Sequence, residues 1–286
     1  MNNRPLPHRL VQVPFNPLQN NLHDLMREET ARAMTQHPWR NPFATTKALH
    51  RAIMDLLRVT SNPALLAQYT SFSHDALLGE VLAEGPAPKV QYACVRARRL
   101  AKQGEKVLIW TNFRQNIESI ADQLRDLGAV YVNARISADA DDDGTREGRI
   151  RQFRYDPNCF VMVANPAAAA EGISLHKVCH HAIYVDRTYN AAHYLQSEDR
   201  IHRLGLLPNE SPTVEILQCS GSIDESVQVR LEAKVAAMAV ALNDPSLSIG
   251  ASQYVPFDID DDPESDSDLL DEDDVRSILS WLRGGG

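Results

Sequence analysis

Short apolar runs alternate with longer amphipathic stretches between residues 89 and 243, and this pattern constrains the fold more than any other feature of the sequence. The apolar runs are residues 106–110, 129–132, 159–164, 182–186 and 213–217. They do not alternate with polar residues, which is typical of parallel strands buried on both faces. Helical periodicity marks residues 116–127, 145–154, 191–204 and 222–242. The pattern therefore predicts an α/β fold with a doubly wound parallel sheet and right-handed crossovers.

The residues on either side of this region have a different character. Residues 1–88 are irregular and interrupted by proline, with one extended piece and two segments of helical periodicity, and we expect helices that need another surface to pack on. After residue 243 a linker leads into an acidic run and then into an amphipathic segment at residues 269–282, which could dock on a partner or fold back. The predicted organisation is a helical lead-in (1–88), a sheet domain with a closing helix (89–243), and a linker with an acidic tail and a short terminal helix (244–286).

The composition excludes several classes of protein. Hydrophobic residues make up 43% of the 286, which is enough for a substantial core. No apolar run approaches the roughly 20 residues that span a bilayer, and the first residues lack the apolar region of a signal peptide. The four cysteines lie far apart and suggest neither a disulfide framework nor a thiolate zinc site. We therefore expect a cytosolic protein with no membrane partner.

Four residues of types that bind metals lie close together, namely His176, Cys179, His180 and His181. They lie where a strand begins, and we therefore expect structural roles and no metal site.

The charge is unevenly distributed along the chain. The net charge is −9, but residues 258–274 hold 11 acidic residues and no basic one, and removing those 11 charges leaves +2 for the rest. We expect this segment to be a solvated tail that could compete with DNA for the body of the protein or bind a protein partner. Residues 89–106 carry six basic residues against one acidic residue. They form either a basic patch for nucleic acid or a solvated helix face.

One segment combines residue types that suit a phosphate. The residues after the fourth apolar run are expected to form a helix, with Asn190 as its N-cap and Gly205 just beyond its end. Gln196, Arg200 and Arg203 then lie on one stripe of that helix. Guanidinium groups match phosphate oxygens, so the stripe could face a phosphate. The alternative is a surface helix whose arginines pair with neighbouring acidic residues.

A resemblance to a known family bears on this choice. Residues 182–205 resemble motif VI, with its preceding strand, of the Swi/Snf-type ATPases of helicase superfamily two. The matching positions are Asp186, Asn190, Gln196, Asp199, Arg200, His202, Arg203 and Gly205. Residues 106–113 resemble motif IV, residues 164–175 resemble motif V, and the helix that starts at Ser222 is similar to the brace that follows the second lobe. The resemblance covers about residues 9–243.

The resemblance implies that the sheet domain is the second of two RecA-like lobes. Arg203 would be the arginine finger that reaches the γ-phosphate of ATP, with Arg200 beside it and Gln196 near the nucleotide. The ATP and its Mg²⁺ would be held mainly by a first lobe. Further residues implied near the nucleotide are Glu171, Gly172 and Asp199.

The resemblance also implies a track of double-stranded DNA. The residues that would contact DNA are Thr111, Asn112, Ser174 and Asn190. Such contacts to phosphates give an affinity that depends on salt and not on base sequence. The departures from the family pattern suggest a bacterial subgroup, and hence the bacterial cytosol.

The chain departs from the family pattern at motif V. The family usually has Gly-Gly-x-Gly there, whereas this chain has Ala169-Ala-Glu-Gly and keeps only Gly172. Alanine does not readily adopt the positive φ that glycine allows. We therefore expect this loop to be helical through residues 167–170.

The sequence contains neither a Walker A loop, G-x-x-x-x-G-K-[ST], nor an Asp-Glu-x-His box. The strand that ends at Asp186 could be taken for a Walker B strand, but no phosphate loop precedes it. We therefore expect the chain alone neither to bind ATP tightly nor to hydrolyse it. It would be a separate subunit that completes an ATPase in trans, or the carboxy-terminal part of a longer translocase. The alternative is a non-catalytic protein-interaction module that retains the fold.

Overall fold

A computed structural model describes residues 8–36, 42–67, 73–133, 144–167, 175–201, 212–241 and 270–283. Six parallel strands form one sheet in the order β1-β6-β5-β2-β4-β3. The strands are β1 (His8–Gln12), β2 (Val107–Trp110), β3 (Val130–Val132), β4 (Val161–Ala164), β5 (His181–Tyr184) and β6 (Thr213–Gln218). The doubly wound parallel sheet predicted from the apolar runs is confirmed.

The described helices are α1 (Pro17–Gln36), α2 (Pro42–Ser61), α3 (Asp75–Ala83), α4 (Pro88–Ala101), α5 (Arg114–Gln123), α6 (Arg146–Tyr155), α7 (Ala191–Glu198), α8 (Ile223–Ala241) and α9 (Glu272–Leu282). Within the described ranges, no helix is both long enough and apolar enough to cross a membrane.

Both faces of the sheet are covered, and β2 shows how. Val107 and Ile109 pack with α4 and α5 on one face, whereas Leu108 and Trp110 pack with α6 on the other. All four residues are fully buried. A strand that points alternate side chains into two apolar layers must be apolar throughout, which is why its sequence shows no alternation.

The lead-in contributes a strand as well as helices. The extended piece near residue 9 forms β1, which pairs with β6 at the edge of the sheet, with Leu10 opposite Ile216. Helices α1, α2 and α3 pack with α8 and α9 in a second core that contains Leu22, Ile53 and Val227. The lead-in helices therefore bury their apolar faces against α8, the closing helix of the sheet domain. The sequence predicted that these helices need another surface to pack on.

Candidate functional site

Polar residues follow β2 and β5 at the point where these neighbouring strands end. Thr111 and Asn112 follow β2, and Asp186 lies two residues after β5. The carboxyl ends of adjacent parallel strands meet at one edge of a sheet, and open α/β sheets bind their ligands there. This edge is therefore the candidate site.

Asp186 is the centre of a buried hydrogen-bond network at this edge. The residue is 3% exposed, and its carboxyl oxygens accept four hydrogen bonds. Oδ2 accepts from the hydroxyls of Thr111 (2.6 Å) and Ser61 (2.7 Å). Oδ1 accepts from the backbone N–H of Asn112 (2.7 Å) and from its side-chain amide (3.0 Å). Neutral donors therefore satisfy the buried carboxyl group, as buried polar groups require.

The end of α2 supplies part of this network, although it belongs to the lead-in. Ser61 donates to Asp186 and accepts from the side-chain amide of Asn116 on α5 (2.9 Å). Asn62, directly after α2, donates to Oδ1 of the same Asn116 (2.8 Å). The lead-in is thereby fixed to the loop and helix that follow β2.

The structure gives Thr111 and Asn112, both predicted to contact DNA, partners within the protein. Thr111 is fully buried and Asn112 is 5% exposed. For the Thr111 hydroxyl to reach a DNA phosphate, its hydrogen bond to Asp186 would have to be exchanged. The DNA contact of these two residues stays a prediction.

Asn190 caps α7, as the sequence predicted. Its side-chain oxygen accepts a hydrogen bond from the backbone N–H of His193 (3.0 Å). This bond satisfies one of the N–H groups that have no partner within the first turn of a helix. The cap fixes the start of the segment that carries Gln196 and Arg200, while a contact of Asn190 with DNA stays a prediction.

The prediction that one helix extends from residue 191 to residue 204 is wrong, because α7 ends at Glu198. The N–H groups of Arg200 and Ile201 bond to carbonyls three residues earlier (3.3 and 3.1 Å), which is the tighter 3₁₀ pattern. Tertiary contacts explain this turn. Ile201 is fully buried in the core under the sheet, and the carbonyl of Arg200 accepts from the N–H of Leu175 (2.9 Å).

The end of α7 brings together three of the residues predicted to lie near a nucleotide. Arg200 is 7% exposed, and its Nε donates to the carbonyl oxygen of Gln196 (3.0 Å). Gln196 and Asp199 are half-buried beside it. The guanidinium of Arg200 is therefore held against the end of α7 instead of projecting from an open helical stripe.

The other predicted site residues, Arg203, Glu171, Gly172 and Ser174, lie outside the described residues. Gly205 and most of the predicted helical turn at residues 167–170 also lie there. Their roles stay predictions.

Two basic residues of the segment 89–106 are bound inside the protein. Lys89 is 1% exposed, and its Nζ lies 2.6 Å from Oδ2 of Asp224 at the start of α8. Nε of Arg96 lies 2.8 Å from Oε1 of Glu215, a buried residue of β6. These ion pairs fix α4 to the sheet and to α8, and so take two charges away from a surface patch.

Lys106 also has a structural role. Its ammonium donates to the backbone carbonyls of Phe153, Asp156 and Cys159 (2.6, 2.8 and 2.6 Å). An ammonium has three N–H donors, so these three acceptors satisfy it completely. Burial lowers the pKa of Lys106. The residue fixes the turn after α6, and the segment 89–106 is not a continuous patch for nucleic acid.

The histidines near β5 bond to other parts of the protein. Nε2 of His180 lies 2.9 Å from the carbonyl oxygen of His176, and Nδ1 of His181 lies 2.7 Å from Oγ1 of Thr213. Among the residues that the structure describes, no three potential metal ligands lie close together.

Burial raises the pKa of the Cys94 and Cys159 thiols to about 11, so both stay protonated and unreactive near neutral pH.

The network around Asp186 was missed from the sequence. Asp186 matched a family position, and a carboxyl group directly after a buried strand is a signal for the functional edge of a sheet. Ser61 had no such signal, because it lies 125 positions away in the chain. Only the folded sheet brings the two side chains together.

Residues 89–205 match one protein-family model, which is described as "Helicase conserved C-terminal domain". The human protein named lymphoid-specific helicase is 28% identical over 137 residues, which is 47% of this chain and 15% of that protein. The chain therefore spans a small part of this relative.

Two solved structures have a similar fold. The C-terminal part of the Fun30 ATPase domain superimposes with a TM-score of 0.63 and 15% identity, over 99% of both chains. The Sulfolobus solfataricus SWI2/SNF2 ATPase core in complex with dsDNA superimposes with a TM-score of 0.60 and 18% identity, over 83% of this chain and 46% of that one. The similarity extends beyond the sheet to the lead-in.

Proposed function

We propose that this chain is the second lobe of an ATP-dependent DNA translocase. Its residues 89–205 match the helicase C-terminal domain, and its fold is similar to that of a SWI2/SNF2 ATPase core. One observation supports this most directly. The capped helix α7 lies beyond the carboxyl end of β5 and holds Gln196, Asp199 and Arg200 together, directly before the segment that contains Arg203.

The nucleotide would lie between this edge of the sheet and a first lobe, present in the same chain or in a separate subunit. The first lobe would hold ATP and its Mg²⁺, because this sequence has no Walker A loop. Arg203 would supply positive charge to the γ-phosphate as it is transferred. Glu171, Gly172 and Asp199 would complete the nucleotide-facing side of this lobe.

The proposed track is double-stranded DNA, the ligand named for the Sulfolobus solfataricus structure. Ser174 and Asn190 would bind its phosphates, together with the loop that contains Thr111 and Asn112. The Asp186 network would hold this loop in place. Since phosphate contacts release counterions, the affinity should fall steeply as salt rises.

DNA-stimulated ATP hydrolysis tests this proposal. The purified chain would be assayed alone and with a first lobe that carries a Walker A loop, such as one encoded by a neighbouring reading frame. We expect activity only when both are present. Arg203→Ala should lower kcat by about 10³- to 10⁵-fold with little change in melting temperature.

The matched control is Arg125→Ala, which removes an arginine whose side chain is 81% exposed. It should retain the activity of the parent. If Arg203→Ala performs as well as this control, Arg203 is not the finger. If the pair of lobes is inactive, the chain is better explained as a protein-interaction module.

One observation favours that second function. The polar groups of Thr111, Asn112 and Asp186 satisfy one another, and Arg200 is 7% exposed. A module that retained the fold without the chemistry would keep such internal bonds. It would then bind a protein partner without hydrolysing ATP.

A further inference from the structure

Helix α9, whose first residues belong to the acidic run, is packed into the protein. Ile278 is fully buried and Leu282 is 7% exposed, both in the core formed by α1, α2 and α8. Arg27 on α1 lies 5.9 Å from the ring centre of Trp281. Of the two outcomes open for this segment, docking on a partner or folding back, the structure shows the second.

Two acidic residues of the tail are bound at the start of α9. Asp271 and Asp274 form a capping box, in which each side chain accepts from the backbone N–H of the other. Asp274 is fully buried, and its oxygens lie 2.8 Å from Nε of Arg230 and 2.6 Å from Nζ of Lys234. The acidic run is therefore not solvated throughout, since these two members pair with α8.

Lys234 connects α9 to the candidate site. Its ammonium lies 2.6 Å from Asp274, 3.2 Å from Asp271, and 2.9 Å from the backbone carbonyl of Tyr189. The ammonium thus donates hydrogen bonds to Asp274 and Tyr189 and forms an ion pair with Asp271. Tyr189 directly precedes Asn190, the N-cap of α7. The side chain of Lys234 therefore bridges α9 and the turn that starts α7.

A second route joins the same elements. The hydroxyl of Tyr189 donates to Oγ of Ser226 on α8 (3.2 Å), and Ser226 lies 3.3 Å from Oγ of Ser277 on α9. Tyr189 is 2% exposed, and burial raises its pKa far above the ordinary value for tyrosine, so the hydroxyl remains a donor. Both the carbonyl and the side chain of Tyr189 are therefore held through α8 to α9.

We propose that Lys234 is a positioning residue that couples the docking of α9 to the Tyr189–Asn190 turn, and hence to the placement of Gln196 and Arg200. The consequence of this coupling for catalysis rests on the proposed function. The acidic terminus would then be a built-in control of the lobe, because α9 must be docked for α7 to be held firmly. Release of α9 would loosen α7.

Amide hydrogen exchange of the intact chain tests the coupling without requiring any activity. The reporters are the N–H groups of His193 and Tyr194, which bond to the side chain and backbone of Asn190. In Lys234→Met, we expect their exchange to rise by about fivefold, the change in equilibrium that one hydrogen bond of typical strength produces. Exchange in α9, reported by the N–H of Val275, should rise as well.

Asp274→Asn gives a milder test, and it decides the question if Lys234→Met does not fold. This variant weakens the docking of α9 but leaves the bond from Lys234 to Tyr189 available. We expect faster exchange in both α9 and α7. The control is Asp273→Asn, whose side chain is 61% exposed, and it should change neither helix. If Asp274→Asn speeds exchange in α9 alone, α9 is only attached to α8 and the coupling is refuted.

ATP hydrolysis with a first lobe provides the functional measurement. Asp274→Asn should lower the DNA-stimulated kcat several-fold relative to Asp273→Asn, and equal values would contradict a role of α9 in catalysis. If the parent chain is itself inactive with the first lobe, the proposed function fails. The exchange experiment still decides whether α9 and α7 are coupled.

Discussion

Among single residues, Asp186 shows how a buried carboxyl group can organise a site. The hydrogen-bond partners described above are neutral groups, with no arginine or lysine among them. Four hydrogen bonds from Ser61, Thr111 and Asn112 surround its two oxygens. The donors come from α2 and from the loop after β2, so the group ties the lead-in to the edge of the sheet. A buried network of this kind is stabilising only while every member has its partners.

We expect Asp186→Ala to destabilise the chain by about 2–4 kcal/mol, because four buried donor groups lose their acceptor. Urea unfolding would measure this as a lower midpoint with an unchanged slope. Asp273→Asn, on the exposed side of α9, should stay within about 0.5 kcal/mol of the parent. An Asp186→Ala variant as stable as that control would show that the network contributes little.

At the scale of elements, α7 is too short to be stable by itself. It has eight residues, and isolated helices below about 12 to 15 residues are marginal in water. The cap at Asn190 and the tertiary contacts of Arg200 and Ile201 therefore decide where it begins and ends. The predicted continuation to residue 204 followed sequence periodicity, which does not include those contacts.

Asn190→Ala should cost about 1 kcal/mol of stability through loss of the cap. Asn190→Asp should retain stability, because aspartate caps helices as well as asparagine does. We expect the Asp variant to bind DNA more weakly than the parent, since it adds negative charge where Asn190 is proposed to meet a phosphate. Thermal unfolding and a DNA titration at fixed salt would measure the two effects. Equal stability of the Ala variant and the parent would show that the cap is dispensable.

In the molecule as a whole, the closing helix α8 connects the sheet domain with the core of the lead-in. The start of α8 lies beside α4, where Lys89 pairs with Asp224, and the rest of α8 packs with α1, α2 and α9.

Several histidines are enclosed in the packed molecule. His23, which is 1% exposed, lies between Phe15 and Trp281. His181, at the start of β5, and His193, on α7, are half-buried.

Burial lowers the pKa of His23, His181 and His193, because it disfavours the charged imidazolium. The unfolded chain therefore takes up protons at a higher pH than the folded one. The stability contributed by these residues is present above pH of about 6.5 and is lost as pH falls through the folded pKa values.

We expect the free energy of unfolding to be lower at pH 5.5 than at pH 7.5. His23→Gln should reduce this difference, whereas Val229→Ala, at an exposed side chain that does not titrate, should leave it unchanged. Urea unfolding of the three proteins at both pH values would measure this. A pH difference of the same size in His23→Gln and the parent would exclude His23 as a source.

Features that depend on neighbours along the chain could be predicted from the amino-acid sequence. The continuous apolar runs predicted β2, β4 and β5, and the polar residue before an amphipathic stretch predicted the cap at Asn190. These patterns are local, since a strand needs apolar side chains on both faces and a helix needs an acceptor for its first N–H groups. Three features required the folded protein: the bond between Ser61 and Asp186 across 125 positions, the end of α7 at Glu198, and the link from α9 to Tyr189 through Lys234. Such contacts depend on how the elements pack, and packing brings together residues that no local pattern relates.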